Sequence, residues 1–273
     1  MTQTDVSAVQ PTTPALPSRP HPALYAGWLT DVGRVREGNE DALFTMTTEF
    51  EQGAQRQTIG LFIVADGMGG HEQGEHASAL AARTAADELL RRLVGPATRG
   101  ETGNVPLHEA MRAAVLEAHN RVRRDVPGAG TTLTVALIVD EILAIGHVGD
   151  SRAYLCRDGQ VEQLTHDHSL VARLVEMGQT TEEEAAVDPR RNYLLRALGQ
   201  GESLDVDFAF QSFAPGSRLL LCCDGLWGQV SLADITRIMQ QSVDPYVACQ
   251  QLIELANAAG GPDNITAIFV IRQ

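Results

Sequence analysis

Four short segments, far apart in the chain, each place an aspartate beside glycine or asparagine at a strand or loop end. They are Gly-Asn-Glu-Asp at 38–41, Ala-Asp-Gly-Met-Gly-Gly at 65–70, Cys-Asp-Gly at 223–225 and Gly-Pro-Asp-Asn at 261–264. Carboxylates that gather in one place repel one another unless a cation lies among them. Because oxygen ligands favour hard divalent ions, the pattern predicts a site for magnesium or manganese rather than for zinc or copper.

Two of these aspartates follow apolar runs in the same way. Asp66 comes after the run at 61–65, and Asp224 comes after the run at 218–223. The glycines that follow Asp66 leave backbone carbonyls open to act as additional oxygen ligands. One Asp-Gly pair alone is typical of a simple turn, but its repetition favours two strand ends that lie side by side. Asp150 is a further strand-end carboxylate, although alone its Gly-Asp-Ser-Arg segment would be a turn held by an Asp–Arg pair.

The elements that must position these residues can be predicted from apolar periodicity. Short β-branched or Leu-rich runs predict strands at 59–65, 131–139, 142–148, 219–223 and 265–271, with a tight antiparallel hairpin at Asp140 and Glu141. Apolar residues at helical spacing predict long helices across 77–93 and 107–122, joined by a loose stretch at 95–106. Near the C-terminus, Ser231 and Asp244 are predicted to begin two more helices. Strands and helix pairs in blocks favour an α+β layered domain.

Length and composition describe an ordinary globular protein. The 273 residues allow one large domain or two small ones, and 44% of them are hydrophobic. The net charge of −14 argues against nucleic acid and anionic membranes as main partners. No stretch reaches the ~20 apolar residues of a membrane span, and no signal peptide is recognisable. Four cysteines without a C-x-x-C pair are expected to be reduced, buried thiols in a cytoplasmic protein.

The order of the motifs carries a resemblance to a known family. The segments are Arg-x-x-Asn-Glu-Asp at 36–41, Asp-Gly-Met-Gly-Gly-His at 66–71, Gly-Thr-Thr at 130–132, Gly-Asp-Ser-Arg at 149–152, Leu-Thr-x-Asp-His at 164–168, Arg-Ala-Leu-Gly at 196–199, Cys-Asp-Gly at 223–225 and Gly-x-Asp-Asn-Ile-Thr at 261–266. In this order the chain resembles the metal-dependent serine/threonine protein phosphatases of type 2C (PPM), in their bacterial form. The match covers about residues 25–271.

The resemblance implies a four-layer α-β-β-α sandwich, in which two antiparallel sheets are flanked by helix pairs. One phosphatase catalytic domain would span 23–273, after a proline-rich tail at 1–22 that we predict to be flexible and outside the core. Residues at about 169–199 match the flap beside the active site of bacterial members. The metal centre would lie at one edge of the sheet sandwich.

The resemblance also implies a ligand for each metal position. Asp66 would bridge two ions of Mn²⁺ or Mg²⁺, Asp224 and Asp263 would complete the shell of one ion, and the Gly67 carbonyl would contact the other. Asp150, together with Asp224, would form a weaker third site. In such a pair, ions roughly 3.5–4 Å apart lower the pKa of a shared water, and the resulting metal-bridging hydroxide attacks phosphorus in line.

Further residues are implied around the metal pair. Glu40 and Asp41 would hold metal-bound waters or lie close outside the ligands, and Arg36 would clamp the phosphate, because its fork meets two oxygens at once. No nucleophilic serine or cysteine is needed. Met68 stands where many eukaryotic relatives carry a histidine, so either His71 or a metal-bound water would protonate the leaving group.

Other polar side chains have two interpretations. The flap arginines could meet a phosphorylated segment or pack structurally; they are Arg190, Arg191 and Arg196. His166 and His168 have the spacing of a metal pair on a strand, but a loop is expected there and the oxygen ligands suffice. Trp227 is expected to cover core.

We therefore expect a protein phosphatase that hydrolyses phosphoserine and phosphothreonine and opposes a bacterial Ser/Thr kinase, as a monomer. A catalytically silent phosphoprotein-binding module is disfavoured, because every implied metal-ligand position retains its acid. A phosphatase that acts on anti-sigma-factor antagonists is a second alternative, although such relatives usually carry sensory domains. A hydrolase of small phosphate esters is a third, and the metal ligands alone do not distinguish it.

Overall fold

The structure, a computed structural model, describes residues 23–52, 55–99 and 106–273. Its strands are β1 Leu24–Asp31, β2 Asp41–Gln52, β3 Gln55–Met68, β4 Gly130–Thr131, β5 Leu133–Val139, β6 Ile142–Val148, β7 Arg152–Arg157, β8 Gln160–Gln163, β9 Asp207–Ser212, β10 Arg218–Cys222 and β11 Ile265–Arg272. Its helices are α1 His71–Leu89, α2 Gly95–Thr98, α3 Leu107–Asp125, α4 Leu170–Glu176, α5 Glu182–Val187, α6 Asp224–Trp227, α7 Leu232–Gln241 and α8 Pro245–Ala258.

The strands form two antiparallel sheets, as predicted. One sheet has the order β1-β11-β10-β7-β8 and the other β2-β3-β5-β6-β9, with β4 paired to the end of β3. Side chains alternate between the two faces of each strand. In β10, Leu219 and Leu221 pack between the sheets, whereas Leu220 and Cys222 pack against α7 and α8. In β3, Phe62 lies between the sheets. The result is the four-layer α-β-β-α sandwich.

The outer layers are held by amphipathic helices. The apolar stripe of α3, from Ala110 to Val122, packs with α1 on the outer face of the β3 sheet. On the other side, α7 begins at Ser231, whose hydroxyl accepts a hydrogen bond from the Asp234 amide at 3.1 Å. Asp244 likewise accepts from the Tyr246 amide at 2.8 Å at the start of α8. Both predicted helix starts are therefore confirmed, and so is the hairpin, where Asp140 has a φ of 54°.

Two local predictions need correction. The prediction of a loose stretch at 95–106 is wrong at its start, because α1 continues through a π-helical turn, Leu90–Val94, into α2. Residues 100–105 lie outside the described part. Strands β1, β2, β7, β8 and β9 were not predicted. In β1, β2, β8 and β9 exposed or half-buried positions interrupt the apolar residues. In β7 the buried apolar run, from Ala153 to Cys156, is short and flanked by arginines.

The flap (169–199) is a helical insertion between β8 and β9. Helix α4 begins at Ser169, and α5 begins with a capping box between Thr181 and Glu184. The return segment of the flap is anchored by a bridge between Leu198 and Thr131. The domain limits stay a prediction, and the tail at 1–22 lies outside the described residues. Within the described part, every helix is too short or too polar to cross a membrane.

Candidate metal centre

Acidic side chains from both sheets converge at one edge of the sandwich. Asp41 begins β2, and its register partner across the strand pair is Asp66, near the end of β3. A carboxylate oxygen from each of these residues and the Cys223 sulfur lie within 4.8 Å of one another. Asp224 follows β10 and Asp263 precedes the neighbouring strand β11 in the other sheet. Strand ends that are remote in the chain therefore meet.

The electrostatics of this cluster follow from burial and from repulsion among the carboxylates. Burial, with smaller contributions from Asp224 and Asp263, raises the pKa of Asp41 to about 7, although the hydrogen bond from Thr266 opposes the change. The pKa of Asp66 is raised well above its usual range by burial and then by Asp41 and Asp224. Burial and the charge of Asp263 raise the pKa of Asp224 to about 6. Such a set of acids is unfavourable unless a cation offsets it.

The donor set fits hard divalent ions. Oδ2 of Asp41 accepts a hydrogen bond from Thr266 Oγ1 at 2.6 Å, whereas its buried Oδ1 has no partner among the described residues. Cys223, by contrast, is satisfied by the protein, since it accepts from the Thr266 amide at 3.1 Å and donates to the Asn264 carbonyl at 3.3 Å. Burial raises the pKa of Cys223 well above its usual range, which favours the neutral thiol. Oxygen atoms are thus left as ligands.

Two threonine hydroxyls form hydrogen bonds with the backbone of Asp66 and hold it in place. Its amide donates to Thr132 Oγ1 at 2.9 Å, and its carbonyl accepts from Thr131 Oγ1 at 2.9 Å. The next residue, Gly67, packs so closely on the first turn of α1 that a Cβ atom would overlap the Gly74 carbonyl. Only glycine therefore fits here, and its backbone stays next to the carboxylates.

Asn264 organises the loop that carries Glu40, a role that was not predicted from the sequence. Its side-chain oxygen accepts from the Glu40 amide at 2.8 Å, and its amide group donates to the carbonyls of Gly38 at 2.9 Å and Val32 at 3.0 Å. The side chain is buried. Its position directly after Asp263 was the available sequence signal. Glu40 itself lies at the rim of the cluster, with its carboxylate against Gly74.

Arg36 reaches the site from the loop after β1. Its guanidinium donates to Oδ2 of Asp263 at 2.7 Å, and this hydrogen bond raises the pKa of Arg36. Glu40 and Asp66 are close enough to contribute to the same change. The arginine is therefore in place beside the cluster, and its pairing with Asp263 was not predictable from the sequence.

Asp150 lies deeper beside Asp224. Burial and then the charge of Asp224 raise the pKa of Asp150 well above its usual range. Its carbonyl accepts from Trp227 Nε1 at 2.9 Å, so Trp227 supports the site as well as covering core. The alternative of an Asp–Arg turn is wrong, because Arg152 pairs with Asp167 at 2.7 Å and stacks on the Trp227 ring.

The remaining candidates are distributed as follows. His71 begins α1, and its side chain lies outside the described part. The interpretation of His166 and His168 as a metal pair is disfavoured, because His166 is exposed while His168 is buried and hydrogen-bonded to protein groups. Arg190 pairs with Asp188 at 2.8 Å and Arg196 with Asp207 at 2.8 Å, which supports a structural role for both.

Comparisons with known proteins agree with this geometry. The family profile described as Protein phosphatase 2C matches residues 35–256. A serine/threonine phosphatase (stp) of Listeria innocua is 36% identical over 253 residues, which cover 92% of this chain and 96% of that protein. The crystal structure of the Mycobacterium tuberculosis serine/threonine phosphatase PstP/Ppp superposes with a TM-score of 0.75 at 34% identity, covering 92% of this chain and 99% of that chain.

A further solved structure bears on the metal site. It is the catalytic domain of the serine/threonine protein phosphatase PstP in complex with two manganese ions, with a TM-score of 0.74 at 33% identity, and the match covers 91% of this chain and 97% of that chain. The family profile spans well over half of the chain, and the motif order, the four layers and the acidic cluster all agree with it. The chain belongs to the protein phosphatase 2C family.

Proposed function

We propose that this protein is a manganese- or magnesium-dependent phosphatase that removes phosphate from serine and threonine residues of proteins. The observation that carries the proposal is the convergence of Asp41, Asp66 and Asp224, whose raised pKa values reflect carboxylates packed together in a buried place. A silent binding module on the same fold would have no need to retain this arrangement.

Each carboxylate has a distinct task in the proposed site. Asp66 lies centrally, within electrostatic reach of Asp41, Asp150, Asp224 and Asp263, which suits a residue that bridges two ions. Asp224 and Asp263 would hold one ion, and the Gly67 carbonyl would contact the other. Asp150, beside Asp224, would hold a weaker third ion. Asp41 and Glu40 would orient water around the pair.

The bound ions would supply Lewis acidity, which lowers the pKa of water and offsets charge on the phosphoryl oxygens. The contribution of the chain is to orient the substrate. Arg36 would leave Oδ2 of Asp263, its partner at 2.7 Å, or share it, to donate two hydrogen bonds to the phosphate. The proton for the leaving oxygen would come from water or from His71. No side chain needs to become phosphorylated.

The substrate class rests on the relatives. The Listeria innocua protein is named a serine/threonine phosphatase, which supports phosphorylated proteins as substrates here. We further propose that these substrates include a Ser/Thr kinase, and that the enzyme acts as a monomer in the cytoplasm. The net charge of −14 favours substrates whose phosphorylated segment is rich in basic residues.

Metal-dependent hydrolysis of an aryl phosphate tests the reaction, with metal-free protein and excess chelator as controls. Asp66→Ala and Asp224→Ala should abolish the manganese-dependent activity while circular dichroism shows an intact fold. Arg36→Ala should mainly raise KM. Full activity in excess chelator would contradict the proposal.

Turnover of phosphothreonine peptides and sugar phosphates tests the substrate class. A preference for the peptides is expected, because the relatives that resemble this chain are named serine/threonine phosphatases. A marked preference for sugar phosphates would overturn the protein-phosphatase assignment and favour the small-ester hydrolase.

A further inference from the structure

His168 lies between the Asp150 loop and the flap, and its ring contacts both sides. The amide of Gly149 donates to Nδ1 of His168 at 3.1 Å, and the His168 amide donates to the Gly149 carbonyl at 2.7 Å. On the other side of the ring, Nε2 lies 3.1 Å from Oδ2 of Asp207. The imidazole therefore spans from the residue before Asp150 to the first residue of β9.

These contacts define the protonation of the ring. Because a backbone amide can only donate, Nδ1 of His168 must be the acceptor and carry no proton. The proton then lies on Nε2 and is donated to Asp207. Arg196, whose guanidinium lies 3.2 Å from the same nitrogen, cannot donate to it and instead donates to Oδ1 of Asp207 at 2.8 Å. Burial lowers the pKa of His168, in agreement with a neutral ring.

Several further contacts hold the loop that His168 contacts. His147 Nε2 lies 3.0 Å from the Gly149 carbonyl, and Trp227 donates to the Asp150 carbonyl at 2.9 Å. Gly149 has a φ of 113° and lies so close to Thr132 that a Cβ atom would be 2.6 Å from its side chain. Within this frame, the Gly149 amide has His168 Nδ1 as its partner. A change at His168 therefore frees one end of a loop that is otherwise held.

The same residue joins this loop to the flap. The amide of Leu195, in the return segment of the flap, donates to the His168 carbonyl at 2.7 Å. Asp207 is held by the flap residue Arg196 and by the His168 ring at once. A continuous set of hydrogen bonds thus runs from the base of the flap, through His168, to the residue that precedes Asp150.

We propose that His168 is a positioning residue for Asp150: its neutral ring, oriented by Asp207, holds the Gly149 amide and thereby aims the Asp150 carboxylate at the weak metal site. This inference rests on the proposed function, in which Asp150 is a ligand of a third ion. Residues that orient metal ligands typically change metal affinity by about 10- to 100-fold when they are replaced.

The test is a Mn²⁺ titration of the full chain by calorimetry, with free Mn²⁺ checked by electron paramagnetic resonance. Asp150→Asn defines the weak site in the wild-type titration. His168→Gln, which can still reach Asp207 but not the Gly149 amide, should weaken that site about tenfold and leave the tight ions unchanged. His168→Asn places an oxygen near the position of Nδ1 and should restore most of the affinity. His166→Gln is the matched control, because His166 is exposed two residues away.

Asp207→Ala gives a second route to the same result. This residue is 40% exposed at its side chain, so its removal should be tolerated by the fold, and the unsupported ring should weaken the third ion to a smaller extent. Wild-type affinity in His168→Gln, equal losses at all metal sites, or a wild-type titration without a third ion sensitive to Asp150→Asn would each overturn the inference. Failure of the proposed function would appear separately, as a wild-type protein that binds Mn²⁺ and hydrolyses no phosphate ester.

Discussion

Removal of one charge from the metal-free cluster should stabilise the protein. Asn at position 41 has nearly the size of Asp and can still accept the hydrogen bond that Thr266 donates at 2.6 Å. Burial raises the pKa of Asp41 from 3.8 to about 7. At about 1.4 kcal/mol for each unit of pKa, ionising this group in the fold costs about 4 kcal/mol at neutral pH. Because neighbouring acids can take up a proton in its place, we expect Asp41→Asn to raise the free energy of unfolding by ~2 kcal/mol.

The dependence on pH follows from the sign of the pKa change. A raised pKa means that the folded protein holds this proton more tightly than the unfolded chain does. The contribution of this group to the free energy of unfolding is therefore fully present below pH 3.8 and is lost as the pH rises towards about 7. The difference between Asp41→Asn and the wild type should vanish near the lower end of this range and reach its full size above the upper end.

Thermal and urea unfolding of chelator-treated protein at a series of pH values measures this difference. For a protein of this size, ~2 kcal/mol corresponds to a rise in Tm of about 4–8 °C. Glu117→Gln, on the exposed side of α3, is the matched control, since it removes an acid outside the cluster. Saturating Mn²⁺ should reduce the advantage of Asp41→Asn, because bound cations offset the charge of the crowded wild-type carboxylates; an ion at 100 times its Kd stabilises the wild type by about 2.7 kcal/mol. If metal-free Asp41→Asn is less stable than the wild type at pH 8, the reasoning from crowded carboxylates is refuted.

Three shorter predictions concern the surroundings of the cluster. In Gly74→Ala, the added methyl group would overlap Oε2 of Glu40, so the carboxylate must move. Mn²⁺ affinity measured by calorimetry should therefore fall about tenfold. Unchanged affinity would show that Glu40 takes no part in metal binding. Thr132→Val removes the hydroxyl that accepts a hydrogen bond from the Asp66 amide at 2.9 Å. It should lower the free energy of unfolding, measured in urea, by about 1–3 kcal/mol. An unchanged free energy of unfolding would mean that water replaces the hydroxyl. The four cysteines are free and buried, so a thiol reagent at pH 8 should react with native protein only as fast as it unfolds, whereas rapid labelling would contradict their burial.

The elements that could be predicted are those whose signal is local. Strands β3, β5, β6, β10 and β11 are apolar runs buried on both faces, and their sequences show this directly. Helix starts at Ser231 and Asp244 depend on hydrogen bonds within two or three residues. By contrast, most positions of β1 are exposed or half-buried, and it is a strand because β11 pairs with it along its whole length. Such edge strands are determined by a partner that is distant in the chain.

Sequence alone indicated which acids to expect in the site, because an aspartate at a strand or loop end, beside glycine or asparagine, is a local pattern, and hard oxygen ligands imply the class of ion. Tertiary structure decided what surrounds those acids. The pairing of Arg36 with Asp263, the support of Glu40 by Asn264 and the link from His168 to Gly149 join residues 19 to 227 positions apart in the chain. Burial and charge at such contacts depend on which strand ends become neighbours when the two sheets pack, and that packing leaves no trace in the spacing of the residues.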